Sequence, residues 1–264
     1  MGKAQVPEEQ LDLFALGFDQ VWSYSRLKSL RRCALEFKVR WIDGQDSLFQ
    51  PGHIDVQAGR LLHHIAREYY RSPQGPESHR RLLAIYENLA PTEPRWKQDL
   101  QGERRVLRAL HDFSYSRAAR FRGAGLEVAC KARIGGVLFP GVADVVYEFE
   151  EGAGSYGLLE FKLTDVEVRA DDPGERFLQC IIYYLGLPEQ YRHFAKALSI
   201  YVFDNGQLLE AKIEKSLVEE AIRIVEATIS RAKGPDFPPT LNPFCPSCGY
   251  QTLCPAYAKH GKTK

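Results

Sequence analysis

The chain has 264 residues, of which 44% are hydrophobic and 26% are charged, and its formal net charge is +1. This mixture is typical of a globular domain. The sequence contains no run of 18 apolar residues, so it predicts no membrane span. The first ten residues lack the apolar stretch of a secretory signal, so we expect a cytoplasmic protein without membrane contact. We predict a leader over residues 1–21 and one domain over residues 22–264.

The first half of the chain has the pattern of a layer of helices. Apolar residues recur at helical spacing in four segments, and breaks containing Pro and Gly are expected at residues 44–55 and 72–76. Ser23 is a suitable N-cap for the first helix, which holds Cys33 either in its interior or at a break. The predicted helices cover residues 23–39, 56–71, 77–89 and 97–121.

The hydrophobic period changes to two after Gly125, which predicts strands. Gly135-Gly136 is expected to form a hairpin turn, and a further turn is expected at residues 150–155. The predicted strands cover residues 126–132, 137–149, 156–163, 197–203 and 208–213, and the later helices cover residues 171–187 and 216–233. The order of elements predicts an α/β fold.

Two predicted strands carry acidic side chains inside apolar runs. Asp144 lies within Val-Ala-Asp-Val-Val, and the strand Gly-Leu-Leu-Glu-Phe-Lys ends with Glu160 and Lys162 on one face. A buried charge is costly unless it is paired or binds metal. Two carboxylates and the Phe161 carbonyl suit Mg²⁺, and Lys162 could orient a water or stabilise negative charge. The simpler alternative is a Glu–Lys ion pair at a strand end.

A histidine pair on the second predicted helix offers a further metal ligand. If this helix lies over the sheet, His63 or His64 could bind the metal through a ring nitrogen. The two side chains point about 100° apart, so only one can do so, and the helical pattern does not decide which. Gly59, one turn earlier, would allow another backbone to approach closely.

Two further residues share a face of the helix that follows the third strand. Gln179 and Tyr183 are four positions apart. Their face could touch DNA or a water on the metal. The alternative is one polar contact beside an aromatic ring that packs on the sheet.

Three of the six cysteines lie close together, and their spacing predicts metal binding. Cys245, Cys248 and Cys254 supply three thiolates, and one more ligand would complete a zinc site or a cubane iron–sulfur cluster. The spacing does not separate these alternatives, and Cys33 is the candidate for the fourth thiolate. The remaining cysteines, Cys130 and Cys180, lie in apolar segments and are expected to be core residues.

Taken in order, these motifs resemble a known family of nucleases. The order is Cys33, Gly59-x-x-x-His63, Gly141-x-x-Asp144, Glu160-Phe161-Lys162, Gln179-x-x-x-Tyr183, and then Cys245, Cys248 and Cys254. The series resembles the PD-(D/E)xK nucleases of the RecB type with an iron–sulfur cluster. That group includes RecB-family exonucleases, AddB nuclease domains and CRISPR-associated adaptation nucleases. The resemblance spans residues 22–258, and its opening is most similar to standalone RecB-family exonucleases.

The resemblance implies a restriction-endonuclease-like fold, in which helices flank a mixed central sheet. It also implies that the N- and C-terminal segments join at a structural [4Fe–4S] cluster rather than at zinc. The implied cluster ligands are Cys33, Cys245, Cys248 and Cys254. The family often has a proline after the first cysteine, where this chain has Ala34, and this departure does not touch a ligand.

The resemblance also implies the roles of the site residues. It favours His63 over His64 as a ligand of Mg²⁺ or Mn²⁺, together with Asp144, Glu160 and the Phe161 carbonyl. Lys162 matches the catalytic lysine. The residues that match the flanking motifs are Gln179 and Tyr183 on the following helix and Glu127 on the preceding strand.

The implied activity is metal-dependent hydrolysis of DNA, on single strands or at DNA ends. Its setting would be DNA repair or recombination, or CRISPR adaptation, with a helicase or an integration complex as a further partner. The alternative is a catalytically inactive nucleic-acid-binding subunit of a larger repair or integration complex. The intact Asp144, Glu160 and Lys162 argue against that alternative.

Overall fold

A computed structural model describes residues 20–45, 54–71, 78–90, 100–149, 154–164 and 171–260. Nearly all of the predicted leader lies outside these residues, as do the predicted break at 72–76 and most of the loop at 44–55 and of the turn at 150–155. Within the described part of the chain, no helix is both long enough and apolar enough to span a membrane.

The first predicted helix is interrupted at Cys33. Helix α1 covers Tyr24–Arg32, and the Ser23 hydroxyl accepts a hydrogen bond from the Arg26 amide at 3.1 Å, as an N-cap should. Cys33 has extended backbone angles (φ −159°, ψ 116°), and α2 begins directly after it and covers Ala34–Phe37. Of the two alternatives for Cys33, the break is therefore the correct one.

The other predicted elements occur in the predicted order, together with two short helices that were not predicted. Helices α3 to α5 cover Ile54–Arg71, Ser78–Leu89 and Leu100–Tyr115, and strands β1 to β3 cover Arg122–Ile134, Val137–Glu148 and Tyr156–Lys162. Helices α6 to α8 cover Pro173–Arg176, Leu178–Gly186 and Glu189–Arg192, strands β4 and β5 cover Ala195–Val202 and Gln207–Lys212, and α9 and α10 cover Lys215–Ala232 and Pro255–His260.

Two predicted helices differ from those observed. The helix predicted to reach residue 121 ends at Tyr115, because the Ser116 hydroxyl accepts from the Ala119 amide and donates to the Phe113 carbonyl. A serine that binds nearby backbone groups in this way competes with helix continuation. The helix predicted at 171–187 is divided into α6 and α7 at Phe177, whose ring is buried.

The five strands form one mixed sheet in the order β1-β2-β3-β4-β5. Strands β1, β2 and β3 are an antiparallel meander, β3 and β4 are parallel, and β4 and β5 are antiparallel. Gly135 and Gly136 form the predicted turn, both with positive φ, which glycine adopts without a steric penalty. The predicted α/β fold, with helices flanking a mixed sheet, is confirmed.

Helices cover both faces of the sheet and bury a hydrophobic core on each. One core, here called the α7 core, lies under α1, α7 and α9. The other, the α3 core, lies under α3, α4 and α5. Strand β3 supplies both in alternation, with Leu158 in the α7 core and Leu159 and Phe161 in the α3 core. Each such burial stabilises the fold by about 1.5–3 kcal/mol.

Candidate active site

Strand β2 separates from β3 at the two acidic residues. The last backbone pair between these strands is Val145 with Leu159. One step further, side chains take over from the backbone: an Asp144 carboxylate oxygen accepts from the Phe161 amide at 2.9 Å, and Glu160 accepts from the Asp144 amide at 3.2 Å. The separation of the strands therefore brings both carboxylates to one place.

Glu160 is buried, with 2% of its surface exposed. Burial raises its pKa well above the ordinary value, and the nearby charge of Asp144 raises it further, although Lys162 acts in the opposite direction. Burial also works against ionisation of Asp144, but His63, the Phe161 amide and Lys162 together lower the pKa of that carboxyl. Two acids with opposed pKa values are the electrostatic pattern of a functional site.

Gln179 connects the acid and the amine of the candidate site. Its carbonyl oxygen accepts from the Lys162 ammonium at 2.5 Å, and its amide nitrogen donates to Glu160 at 3.1 Å and to the Tyr183 hydroxyl at 3.1 Å. A carboxamide has both an acceptor and donors, so Gln179 can hold an amine and a carboxylate at once. Sequence reasoning left open whether this face touches DNA, and the structure places it against Glu160 and Lys162.

Tyr183 lies directly over Gly141 of β2. A Cβ atom at Gly141 would lie 2.3 Å from a ring carbon of Tyr183, so this position has no room for a side chain. Burial raises the pKa of Tyr183 to about 12, which keeps its hydroxyl protonated near neutral pH. The Gly141-x-x-Asp144 spacing thus has a packing reason, which the sequence alone did not supply.

His63 rather than His64 faces the acids. Its Nδ1 lies 3.5 Å from an Asp144 carboxylate oxygen, and its ring contacts Phe161 edge-on. The close approach expected at Gly59 is not found, because a Cβ there would meet the side chain of Leu163 at an ordinary 3.7 Å. His63 is therefore the histidine that lies near the acids, and the described part of the chain makes no close contact at Gly59.

Glu127 of β1 lies next to the site and forms an ion pair with an arginine of α3. The register of β1 and β2 puts it opposite Asp144, and its backbone has a φ of +47°. Its carboxylate accepts from Arg67 at 3.1 Å, and Arg67 follows His63 by one helical turn. Sequence reasoning missed this ion pair, although the four-residue interval from His63 places Arg67 on the same helix face.

Phe161 combines a core side chain with a backbone that faces the acids. Its ring is buried in the α3 core, while its N–H points towards β2 and donates to Asp144. The N–H and C=O of one strand residue point to the same side, so the Phe161 carbonyl also faces Asp144. No backbone pairing with β2 extends this far.

The donors of the site suit a hard divalent cation. Two carboxylates and a carbonyl are oxygen ligands of the kind that Mg²⁺ and Mn²⁺ prefer, and a cation beside Glu160 would offset the cost of ionising that buried acid. Within the described residues, no three His, Cys, Asp or Glu side chains already form an arrangement that could hold a metal ion. The site therefore fits the cation by donor type and charge.

The sequence matches the family model of the PD-(D/E)XK nuclease superfamily over residues 21–255. This chain belongs to that superfamily. Among curated proteins, none matches the sequence significantly. The solved structure of a putative exonuclease from Eubacterium rectale aligns at 12% identity and a TM-score of 0.48, covering 94% of this chain and 93% of its own. The structure of SSO0001 aligns at 19% identity and a TM-score of 0.34, covering 75% of this chain and 95% of its own.

In this member of the superfamily, the four candidate cluster cysteines line one cavity. The cavity has a volume of about 150 Å³ and is bordered by Cys33, Cys245, Cys248 and Cys254. All four are free thiols and are partly exposed, whereas Cys130 and Cys180 are buried in the α7 core, as expected. The interruption between α1 and α2 places Cys33 beside the C-terminal segment.

Backbone amides point at two of these sulfur atoms. The Thr240 amide donates to Cys33 Sγ at 3.4 Å, and the Asn242 amide donates to Cys245 Sγ at 3.3 Å. The Asn242 side chain also donates to the Arg32 carbonyl at 3.1 Å and so links the two ends of the nuclease domain. Sequence reasoning missed Asn242, although Asn-Pro is a known turn signal.

Proposed function

We propose that this protein is a Mg²⁺- or Mn²⁺-dependent DNA nuclease whose centre is formed by Asp144, Glu160 and Lys162. The observation that supports this most is the meeting of two carboxylates where β2 leaves β3. Glu160 is buried there, and its pKa is raised. Membership of a nuclease superfamily supports the same assignment.

Four groups would hold the metal: His63, Asp144, Glu160 and the Phe161 carbonyl. When bound, the cation polarises the phosphodiester and lowers the pKa of the attacking water. The protein's own contribution is orientation, since the Phe161 and Asp144 amides each hold one carboxylate oxygen. The second oxygen of Glu160 accepts from Gln179, and the second oxygen of Asp144 lies 3.5 Å from His63 Nδ1.

Lys162 contributes a positive charge that Gln179 holds in place. The amine donates to the Gln179 carbonyl, which fixes it near Glu160. In this position it can orient the water or stabilise negative charge that develops on the phosphate. Gln179 and Tyr183 therefore act as positioning residues.

The substrate we propose is single-stranded DNA or DNA ends, in repair, recombination or CRISPR adaptation. The support is the resemblance of the ordered motifs to RecB-type nucleases, including the AddB and CRISPR-associated groups. The same resemblance supports a helicase or an integration complex as a partner.

We further propose that Cys33, Cys245, Cys248 and Cys254 bind a structural [4Fe–4S] cluster. Four thiols on a shared cavity support a tetrahedral ligand set, and the two amide contacts to sulfur would stabilise thiolate charge. Hydrogen bonds to cluster sulfur atoms are a recurring feature of iron–sulfur proteins. Zinc has the same ligand requirement, so metal analysis decides between them.

Cleavage of labelled oligonucleotides tests the proposed activity. The substrates are single- and double-stranded DNA labelled at the 5′ or 3′ end, incubated with Mg²⁺, Mn²⁺ or EDTA. We expect metal-dependent cleavage by the natural chain and by Asp112→Asn, which changes a partly exposed aspartate on α5, and none by Asp144→Asn. Binding without cleavage by the natural chain would instead identify the inactive subunit.

A further inference from the structure

The hairpin of β1 and β2 has one face whose residues are fully or partly exposed from Asp144 as far as Leu138, which is only 3% exposed and ends this face. Beyond Glu127, the inward side chains of the hairpin are buried in the α7 core, including Cys130, Ala132 and Phe139. On the other face, Ala129, Lys131 and Arg133 are exposed. We call Ala129, Lys131, Arg133, Pro140 and Val142 the open hairpin face.

The backbone of Glu127 explains why this face is open. Residues two apart on a strand normally face the same side, yet Leu126 packs on the α3 core and Val128 on the α7 core. On β2, Ala143 and Val145 differ in the same way. At Glu127 and Asp144, the side chains of both strands therefore switch from one face of the sheet to the other. The positive φ of Glu127, unusual in a non-glycine residue, accompanies this switch.

The chemistry of the open hairpin face matches a nucleic-acid strand. Ala129 and Val142 are directly paired, and Val142 has 49% of its surface exposed, so the centre is flat and apolar. Lys131 and Arg133 lie on the distal side of this centre. Among the residues that the structure describes, no carboxylate pairs with either cation. By contrast, Arg31 and Arg117 elsewhere on the surface pair with Glu175 and Glu210.

The positions of the two cations set the length of strand that the open hairpin face can contact. Lys131 pairs with Pro140 and Arg133 with Leu138. At about 3.3 Å per residue, these positions are about 13 and 20 Å from Asp144 along β2, which corresponds to roughly four to six stacked nucleotides at about 3.4 Å each.

We propose that the open hairpin face binds the single strand of nucleic acid that enters the active site, with Lys131 and Arg133 contacting its phosphates. This inference rests on the proposed nuclease function and extends it to the path of the substrate. The occupant is identified by charge complementarity and by continuity with the candidate site. The centre of the face, Ala129 and Val142, would contact the bases through aliphatic groups only. We therefore expect no preference for a particular base sequence.

Binding measured without metal separates this inference from the cleavage activity. The probes are fluorescein-labelled oligo-dT strands of 3, 6 and 12 nucleotides, and the readout is anisotropy in EDTA. We expect affinity to rise with length up to about six nucleotides. Lys131→Gln/Arg133→Gln should weaken binding of the 12-mer about tenfold and reduce the salt slope of log K by about 1.4, since each phosphate contact on a single strand contributes about 0.7.

Two controls make the outcome specific. Lys196→Gln/Lys212→Gln removes two exposed cations from the far side of the same sheet and should leave affinity within twofold of the natural chain. Ala129→Glu should weaken binding, whereas the uncharged Ala129→Gln should weaken it much less. The inference is wrong if both double variants bind the 12-mer equally, or if Lys131→Gln/Arg133→Gln weakens duplex binding as much as single-strand binding.

Discussion

At the scale of single residues, the opposed pKa values of Asp144 and Glu160 have a measurable effect on stability. Glu160 has a raised pKa in the fold and an ordinary pKa when the chain unfolds. Between these two values the unfolded chain loses its proton first. The free energy of unfolding therefore falls as pH rises from about 4.5 through the raised pKa of Glu160.

We predict that Glu160→Gln removes this part of the pH dependence in metal-free protein. The melting temperature, measured in EDTA between pH 4.5 and 8, reports this pH dependence. Each kcal/mol of stability shifts the melting temperature by about 2–4 °C in a chain of this size. The natural chain should lose more stability across the interval than the variant. If melting temperature falls with pH equally in the two proteins, the pKa of Glu160 is not raised in the fold.

Substitution of Gln179 should separate the positioning of Lys162 and Glu160 from the binding of metal. Gln179→Glu keeps an acceptor for Lys162 but puts a second carboxylate against Glu160, while Gln179→Ala removes both contacts. We expect both variants to lower the cleavage rate about 10- to 100-fold, as substitution of residues that orient metal ligands does. Gln179→Glu should also bind Mn²⁺ more tightly than Gln179→Ala, because it adds negative charge. Equal metal affinity in the two variants would contradict this role.

At the scale of elements, α7 is held against the sheet by two glycines. A Cβ at Gly141 would lie 2.3 Å from Tyr183, and one at Gly186 would lie 2.5 Å from the backbone of β1. We predict that Gly141→Ala destabilises the fold by about 1–3 kcal/mol, the usual cost of overpacking. Denaturant unfolding measures this change.

Gly59→Ala is the matched control for Gly141→Ala. The space around Gly59 accepts a methyl group, and Ala in a helix interior is favoured over Gly by about 0.5–1 kcal/mol. The control should therefore be as stable as the natural chain or more so. The double variant Gly141→Ala/Tyr183→Ala should lose less stability than the sum of the two single losses, and a fully additive loss would mean that the Tyr183 ring is not the obstacle.

The elements that sequence predicted well are those fixed by local patterns. Gly135-Gly136 and the change of period after Gly125 located the hairpin. The helical spacing of Leu61, Leu62, Ile65 and Tyr69 located α3. The early end of α5 depends on one serine hydroxyl, and the change of facing at Glu127 depends on a left-handed backbone. Neither has a periodic signal, so both were missed.

At the scale of the whole molecule, the cysteine cavity joins segments that are far apart in the chain. Cys33 and Cys254 are separated by 221 residues, and closing a loop of this length stabilises a fold by on the order of 5 kcal/mol in theory. We predict about four iron atoms per chain after anaerobic purification, and a marked loss of thermal stability in Cys254→Ser. Cys180→Ser, at a buried thiol outside the cavity, should keep its iron. Stoichiometric zinc in colourless protein would contradict the cluster.

The candidate active site could be predicted only in part, for a related reason. Asp144, Glu160 and Lys162 were identifiable because acids inside apolar runs need an explanation, and the cysteines because of their spacing. The choice of His63 over His64 needed the resemblance or the structure, since neighbouring helix positions share the same pattern. Contacts such as Arg67 with Glu127 and Asn242 with Arg32 join distant segments, and a single sequence does not record them.

Paired measurement of Mn²⁺ affinity and single-turnover cleavage of labelled single-stranded DNA tests the central claim most directly. The proteins are the natural chain, Asp144→Asn and Lys162→Met. If Asp144 is a ligand and Lys162 acts on the substrate, Lys162→Met should bind Mn²⁺ but not cleave, and Asp144→Asn should lose both. Cleavage by either variant at the rate of the natural chain would contradict the account.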